Sequence, residues 1–215
     1  MPRTSSFGSF KKLKSMSLYI MKKDLVLASG SPRRSEMLTS CGIQFTKSVA
    51  DIEEIVLPNE TPKAMVERLS IEKGKVVAKK FPDSWVLSAD TTVSIDNDIL
   101  NKPADFNDSM MMLKKISGRT HTVWGGISLT CIASHALVTK SFSSEVTLRE
   151  LREHEIKQYI KTGEPADKAG SYAIQGIGAS LVTEVKGSYT NVVGLNLAAC
   201  IDMLRESGVI DIAES

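Results

Sequence analysis

Residues 25–38 constrain this chain more than any other stretch. Leu25-Val26-Leu27-Ala28 is a short apolar run of the kind a covered sheet uses, and Ser29-Gly30-Ser31-Pro32-Arg33-Arg34 turns it at once into a helix start. Ser29 and Gly30 let the backbone turn sharply and leave room for a ligand. Ser31 stands at the N-cap and Pro32 at N1, where a missing N–H costs nothing. Free N–H groups at such a start attract phosphate, and Arg33 and Arg34 add two guanidinium forks. Cations are unfavourable beside the positive end of a helix dipole, so a purely structural turn would carry Asp or Glu there. The pattern favours an anion site over a solvated basic turn.

Strands and helices alternate after the loop. Pro32 to Cys41 reads as a helix with Met37 and Leu38 inward and Gly42 as its stop, and Ile43 to Val49 as a returning strand. Glu54 falls on a loop, since Pro58, Asn59 and Pro62 prevent regular structure. Thr61-Pro62 opens a helix reaching Lys80, on which Lys73 taken alone is an ordinary solvated charge. Trp85 to Ala89 is a second apolar strand that delivers Asp90 before Val93-Ser94-Ile95 resumes the pattern. An acid at that point needs a cation or a metal, because Asp is disfavoured in strands and seldom buried alone. A helix over about 105–117, two antiparallel strands over 120–132 and 136–148, a helix over 150–161 and a final helix over 195–205 follow. Dense glycine between Gly170 and Gly194 indicates close backbone approach or sharp turns around a site. The whole predicts an α/β fold: a mixed twisted sheet flanked by helices.

Charge needs reading by segment. The net charge of +2 is carried by residues 1–23, which hold six cations and no acid, and the remainder comes to about −4. The body therefore gives no argument for a nucleic-acid surface. Residues 1–23 read as a basic, disordered extension and 24–210 as one domain. Three scattered cysteines without a CxxC suit a reducing compartment, and no apolar run approaches a membrane span. A cytoplasmic location follows, with organelle targeting by residues 1–23 as the alternative.

Together the loop arginines, Glu54, Lys73, Asp90, Lys102 and the glycine-rich segment around Gln175 supply phosphate clamps, carboxylates and a base. Cleaving a phosphoric anhydride needs cations to disperse phosphoryl charge and a carboxylate to position water or hold Mg²⁺. His121, His135 and His154 lack metal-ligand spacing, so any metal is a hard one on oxygen. No GxxxxGK[ST] occurs, which disfavours a P-loop enzyme, and no G-x-S-x-G with a matching triad order is present.

Four segments closely resemble the Maf family of nucleoside triphosphate pyrophosphatases: residues 27–34; Glu72-Lys73; 88–93 with Leu100-Asn101-Lys102-Pro103; and 167–176 with 187–195. They occur in the family's order, and Asn196 stands where the family usually has Pro. The resemblance implies two lobes with a central cleft, a fold related to inosine-triphosphate pyrophosphatases, and cleavage between the α and β phosphates to a monophosphate and pyrophosphate, clearing the nucleotide pool. It implies Asp90 as proton acceptor, with Ser29, Arg33, Arg34, Glu54, Lys73 and Lys102 around the phosphates. A Mg²⁺ or Mn²⁺ ion would lie on Glu54 and Asp90. Arg33, Thr91 and Gln175 together resemble the dTTP/UTP subgroup. The partner implied is the nucleotide alone, with no nucleic acid or membrane, and a homodimer is left open. A non-catalytic regulator of cell division and an enzyme for 7-methylguanosine triphosphate are the competing readings.

Overall fold

The structure, a computed structural model, describes residues 18–213. The expectations for residues 1–17 lie outside the described residues. In chain order the elements are β1 (Tyr19–Met21), β2 (Leu25–Leu27), α1 (Pro32–Ser40), β3 (Thr46–Lys47), α2 (Pro62–Ala78), β4 (Trp85–Ile95), β5 (Asp98–Leu100), α3 (Phe106–Ile116), β6 (Thr120–Cys131), β7 (Ala136–Leu148), α4 (Glu153–Lys161), short 3-10 turns from Glu164 to Leu181, β8 (Val182–Lys186), α5 (Tyr189–Val193), α6 (Leu197–Glu206) and β9 (Ile210–Ile212). Among the described residues, the main sheet has seven strands in the order β3-β2-β4-β6-β7-β8, with β5 paired to β4. β2 runs parallel to β3 and β4, and the remaining pairs are antiparallel. None of the helices among the described residues is long and apolar enough to cross a membrane.

Strand periodicity divides the core. Leu25, Leu27, Leu87 and Ala89 face one cluster with α1 and α6, while Val26, Ala28 and Val86 face α2. Further along β4, Val93 and Ile95 belong to another cluster, built with α3, α4 and Tyr172. β4 is therefore shared by two cores, and its polar segment Asp90-Thr91-Thr92 lies between them. These are the two lobes. Helix α2 packs on β4 and β6. Opposite Asp90 in the ladder stands Gly126, where a Cβ would come within 2.2 Å of the Val66 carbonyl oxygen. The missing side chain lets α2 close on the sheet at the point where Asp90 needs a partner.

Several boundaries differ from the sequence reading. The strand expected over 43–49 shrinks to Thr46–Lys47, because the Ile43 amide donates to Leu38 O at 3.1 Å and finishes α1 before a ladder begins. Helix α4 starts at Glu153 rather than 150, since Leu151 N donates to Ser117 Oγ at 2.7 Å and Gly118 N to Arg149 O. Asn196 is a working N-cap, its Oδ1 accepting from Ala199 N at 3.3 Å. The described residues reach ahead of position 24. Tyr19–Met21 pairs antiparallel with Ile210–Ile212, and Tyr19 and Met21 pack against the first cluster. Lys23 Nζ donates to Ser207 O and lies 5.2 Å from the Trp85 ring centroid. Composition registers the charge of this segment but not a partner strand at the far end of the chain.

Candidate active site

A cleft of about 570 Å³ opens between the lobes, within the range of small-molecule sites. One wall is the loop from Ser29 to Arg34, another is Asp90 with Thr91, and Lys73, Lys102 and Gln175 complete it. All nine site residues of the sequence reading line this cleft, but their roles separate.

The loop is as expected in outline and different in detail. Ser31 has N-cap dihedrals and Pro32 follows, yet the Ser31 side chain caps nothing. Ser29 Oγ instead accepts from Ser31 N and from Arg34, both at 3.2 Å. Arg34 is a tie within the protein: its guanidinium donates to Ala89 O at 2.8 Å, Gly194 O at 2.8 Å and Thr91 Oγ1 at 3.0 Å as well as Ser29. Four of a guanidinium's five N–H groups are thus committed to joining the loop, β4 and the end of α5. Among the described residues Arg33 is held through Nε alone, to Val193 O at 3.2 Å, which leaves the outer edge of its fork at the cleft. Thr91 is likewise committed, since its hydroxyl accepts from Arg34 and donates to Gly194 O at 3.3 Å.

The acids and lysines form one chain of alternating charge. Lys73 Nζ lies 2.6 Å from Asp90 Oδ1 and 2.6 Å from Glu54 Oε1, and Lys102 Nζ lies 3.0 Å from Glu54 Oε2. Lys73 is not a solvated charge: it is 8% exposed and Asp90 5%. The helix turns it inward onto an acid that the strand could not otherwise bury. Burial pushes the Glu54 carboxyl up, but hydrogen bonds from Lys73 and then Lys102 outweigh it and bring it down to about 2. Glu54 is therefore ionised throughout the physiological range.

The loop that carries Glu54 is fixed by a residue the sequence reading missed. Arg68 on α2 forms a two-pronged pair with Glu60, at 2.6 and 2.7 Å, and donates to Ile55 O at 2.9 Å, next to Glu54. Nothing in its local pattern on α2 sets it apart from the other cations of that helix. The carbonyls of Val193 and Gly194 that hold the two arginines were also missed, and a backbone acceptor has no residue-type signature. Gln175 is exposed at the cleft, and among the described residues its amide makes no hydrogen bond. Among those residues no group of three or more His, Cys, Asp and Glu side chains converges.

A mixed α/β cleft that sets an arginine-bearing loop and helix start against a buried lysine–carboxylate chain has the chemistry of a site suited to a phosphate-bearing ligand. Residues 24–207 match the family model for Maf-like protein, and the chain belongs to that family. It is 46% identical to the dTTP/UTP pyrophosphatase of Myxococcus xanthus over 185 residues, covering 86% of this chain and 93% of that one. With the dTTP/UTP pyrophosphatase of Desulfotalea psychrophila it shares 43% identity over 195 residues, covering 91% and 100% respectively. The structure of the Staphylococcus aureus Ham1 protein aligns with a TM-score of 0.48 at 13% identity, over 86% of this chain and 100% of that one.

Proposed function

We propose that this chain hydrolyses nucleoside triphosphates, dTTP and UTP in preference, between the α and β phosphates to a nucleoside monophosphate and pyrophosphate. The observation that carries the reading is the buried Lys73–Asp90 pair opening onto a cleft walled by Arg33 and Ser29. It is supported by the name shared by the relatives above.

In this reading Arg33 and the first-turn N–H groups of α1 bind the phosphates, and Lys102 adds charge from the opposite wall. Arg34 positions Ser29 and β4 rather than meeting substrate. Asp90 accepts the proton of the water that attacks the α phosphorus, and Lys73, 2.6 Å from Asp90 Oδ1, holds its carboxylate in place. The donor set fits a hard cation: Asp90 and Glu54 offer two carboxylates, which with substrate oxygens is the usual provision for Mg²⁺ or Mn²⁺. When bound, such an ion neutralises phosphate charge and acidifies bound water. Gln175 reads the base, because uracil and thymine present two acceptors about one N–H and an amide offers both kinds of partner.

Incubating the protein with a nucleotide panel and Mg²⁺ or Mn²⁺, then measuring pyrophosphate, tests this directly. UTP and dTTP should give the highest kcat/KM, and Asp90→Asn should lower turnover by about two orders of magnitude or more in a folded protein. Higher kcat/KM for 7-methylguanosine triphosphate or ATP overturns the preference. Nucleotide binding without any pyrophosphate release points to the non-catalytic alternative.

A further inference from the structure

The glycine-rich segment that carries Gln175 is gripped by side chains with no part in the phosphate chemistry. Tyr159 Oη, on α4, accepts from Ala173 N at 3.1 Å and donates to Glu164 Oε1 at 2.9 Å. Glu164 in turn accepts from Gly178 N at 2.7 Å and from Ile177 N at 2.8 Å. One tyrosine–glutamate pair therefore holds the backbone two residues before Gln175 and two and three residues after it. The anchor is firm, because the Tyr159 ring is buried in the cluster that includes Ile156 and Tyr172.

The glycines are explained by the same contact. Gly176 has φ +72°, and a Cβ there would stand 2.4 Å from Glu164 Oε2. A Cβ on Gly178 would lie 2.2 Å from Ala173 O and 2.5 Å from Tyr159 Oη. Side chains at these two positions would push the pair out, so the two glycines that follow Gln175 are the imprint of the clamp. Burial raises the Tyr159 hydroxyl well beyond its ordinary range, which keeps it a donor. Burial also works to raise the Glu164 carboxyl, but the Gly178 and Ile177 amides and then Tyr159 outweigh it and keep it ionised.

We propose that Tyr159 and Glu164 are positioning residues for base selection, fixing the backbone on both sides of Gln175 so that its amide meets only one pattern of donors and acceptors. The inference rests on the pyrophosphatase reading above. A glutamine amide turns end over end at little cost, so a loosely held one adapts to cytosine as readily as to uracil. It discriminates only when its Cα is held to within about 0.5 Å of the productive place.

The experiment measures kcat/KM for UTP and CTP in wild type, Tyr159→Phe, Glu164→Gln and Gln175→Ala. Inhibition by inorganic tripolyphosphate, which has no base, is measured alongside. In Tyr159→Phe and Glu164→Gln the UTP:CTP ratio should fall about tenfold, as should that of Gln175→Ala, while tripolyphosphate inhibition stays within about twofold of wild type. Should Glu164→Gln fail to fold, Tyr159→Phe carries the test, since it removes one oxygen and keeps the ring. Ratios within about twofold of wild type in the folded clamp variants overturn the proposal, as does a parallel loss of tripolyphosphate binding. A collapsed ratio in Gln175→Ala beside intact ratios in the clamp variants rejects the clamp and spares the base-reading role. An unchanged ratio in Gln175→Ala rejects both. Wild-type protein that leaves UTP intact refutes the reading underneath.

Discussion

Lys73→Met tests whether the buried pair is held together electrostatically. The Lys73 and Asp90 side chains are 10% and 7% exposed and touch at 2.6 Å, so removing the ammonium leaves a carboxylate buried without its cation. Breaking such a pair from one side costs about 3–5 kcal/mol, and the lower end applies here because the pair borders an open cleft. Asp90→Asn is milder. Its amide oxygen still accepts from Lys73, and the ammonium keeps Glu54 at 2.6 Å, so about 1 kcal/mol is expected. The double variant buries neither charge, and Glu54 retains Lys102. It should therefore be more stable than Lys73→Met alone, with a coupling energy of about 2 kcal/mol. Urea denaturation of the four proteins at pH 7 measures the cycle, provided that each unfolds reversibly in one step. A Lys73→Met loss below about 1 kcal/mol, or a double variant that loses the sum of the single losses, refutes the argument.

Arg34→Lys cannot reproduce the ties to Ala89, Gly194, Thr91 and Ser29, so it should lower stability by about 2 kcal/mol, or about 4–8 °C in Tm. Arg33→Lys should leave Tm nearly unchanged and raise KM about tenfold; equal Tm losses in the two would contradict the division of roles. His121 is buried with Nε2 2.7 Å from Tyr172 Oη, and burial lowers its pKa to about 4 from 6.5. The unfolded chain then takes up the proton first, so stability is full above about pH 6.5 and falls by up to about 3 kcal/mol as pH drops to about 4. Denaturation midpoints across that window should flatten in His121→Gln, and a wild-type curve already flat there refutes the point. Starting the chain at Asp24 removes β1 and Lys23 and should cost about 1–3 kcal/mol, whereas starting at Leu18 keeps β1 and should cost nothing measurable by thermal melt.

The local chemistry of residues 25–34 was legible because each position answers to its immediate neighbours: a buried run, a small-residue turn, a cap and a proline at N1. The long hairpin of β6 and β7 and the acid in β4 were legible for the same reason, since alternation and residue type announce them. Boundaries at Ile43 and Leu151 were misread because the amides there are claimed by groups outside the local pattern, the carbonyl of Leu38 and the hydroxyl of Ser117.

By itself the sequence determined the α/β class, the strand–turn–helix of residues 25–40, the family and the set of polar side chains that meet in the cleft. Tertiary structure alone decided how that set divides. Two adjacent arginines of the same type became one cleft-facing fork and one internal tie, because Ala89, Thr91 and Gly194 reach Arg34 from remote segments. A helix lysine became a buried counter-ion because Gly126 lets α2 close on Asp90. Charge and hydrogen-bonding capacity are written in the residue, but the partner that uses them is chosen by distance in space, which a linear pattern does not contain.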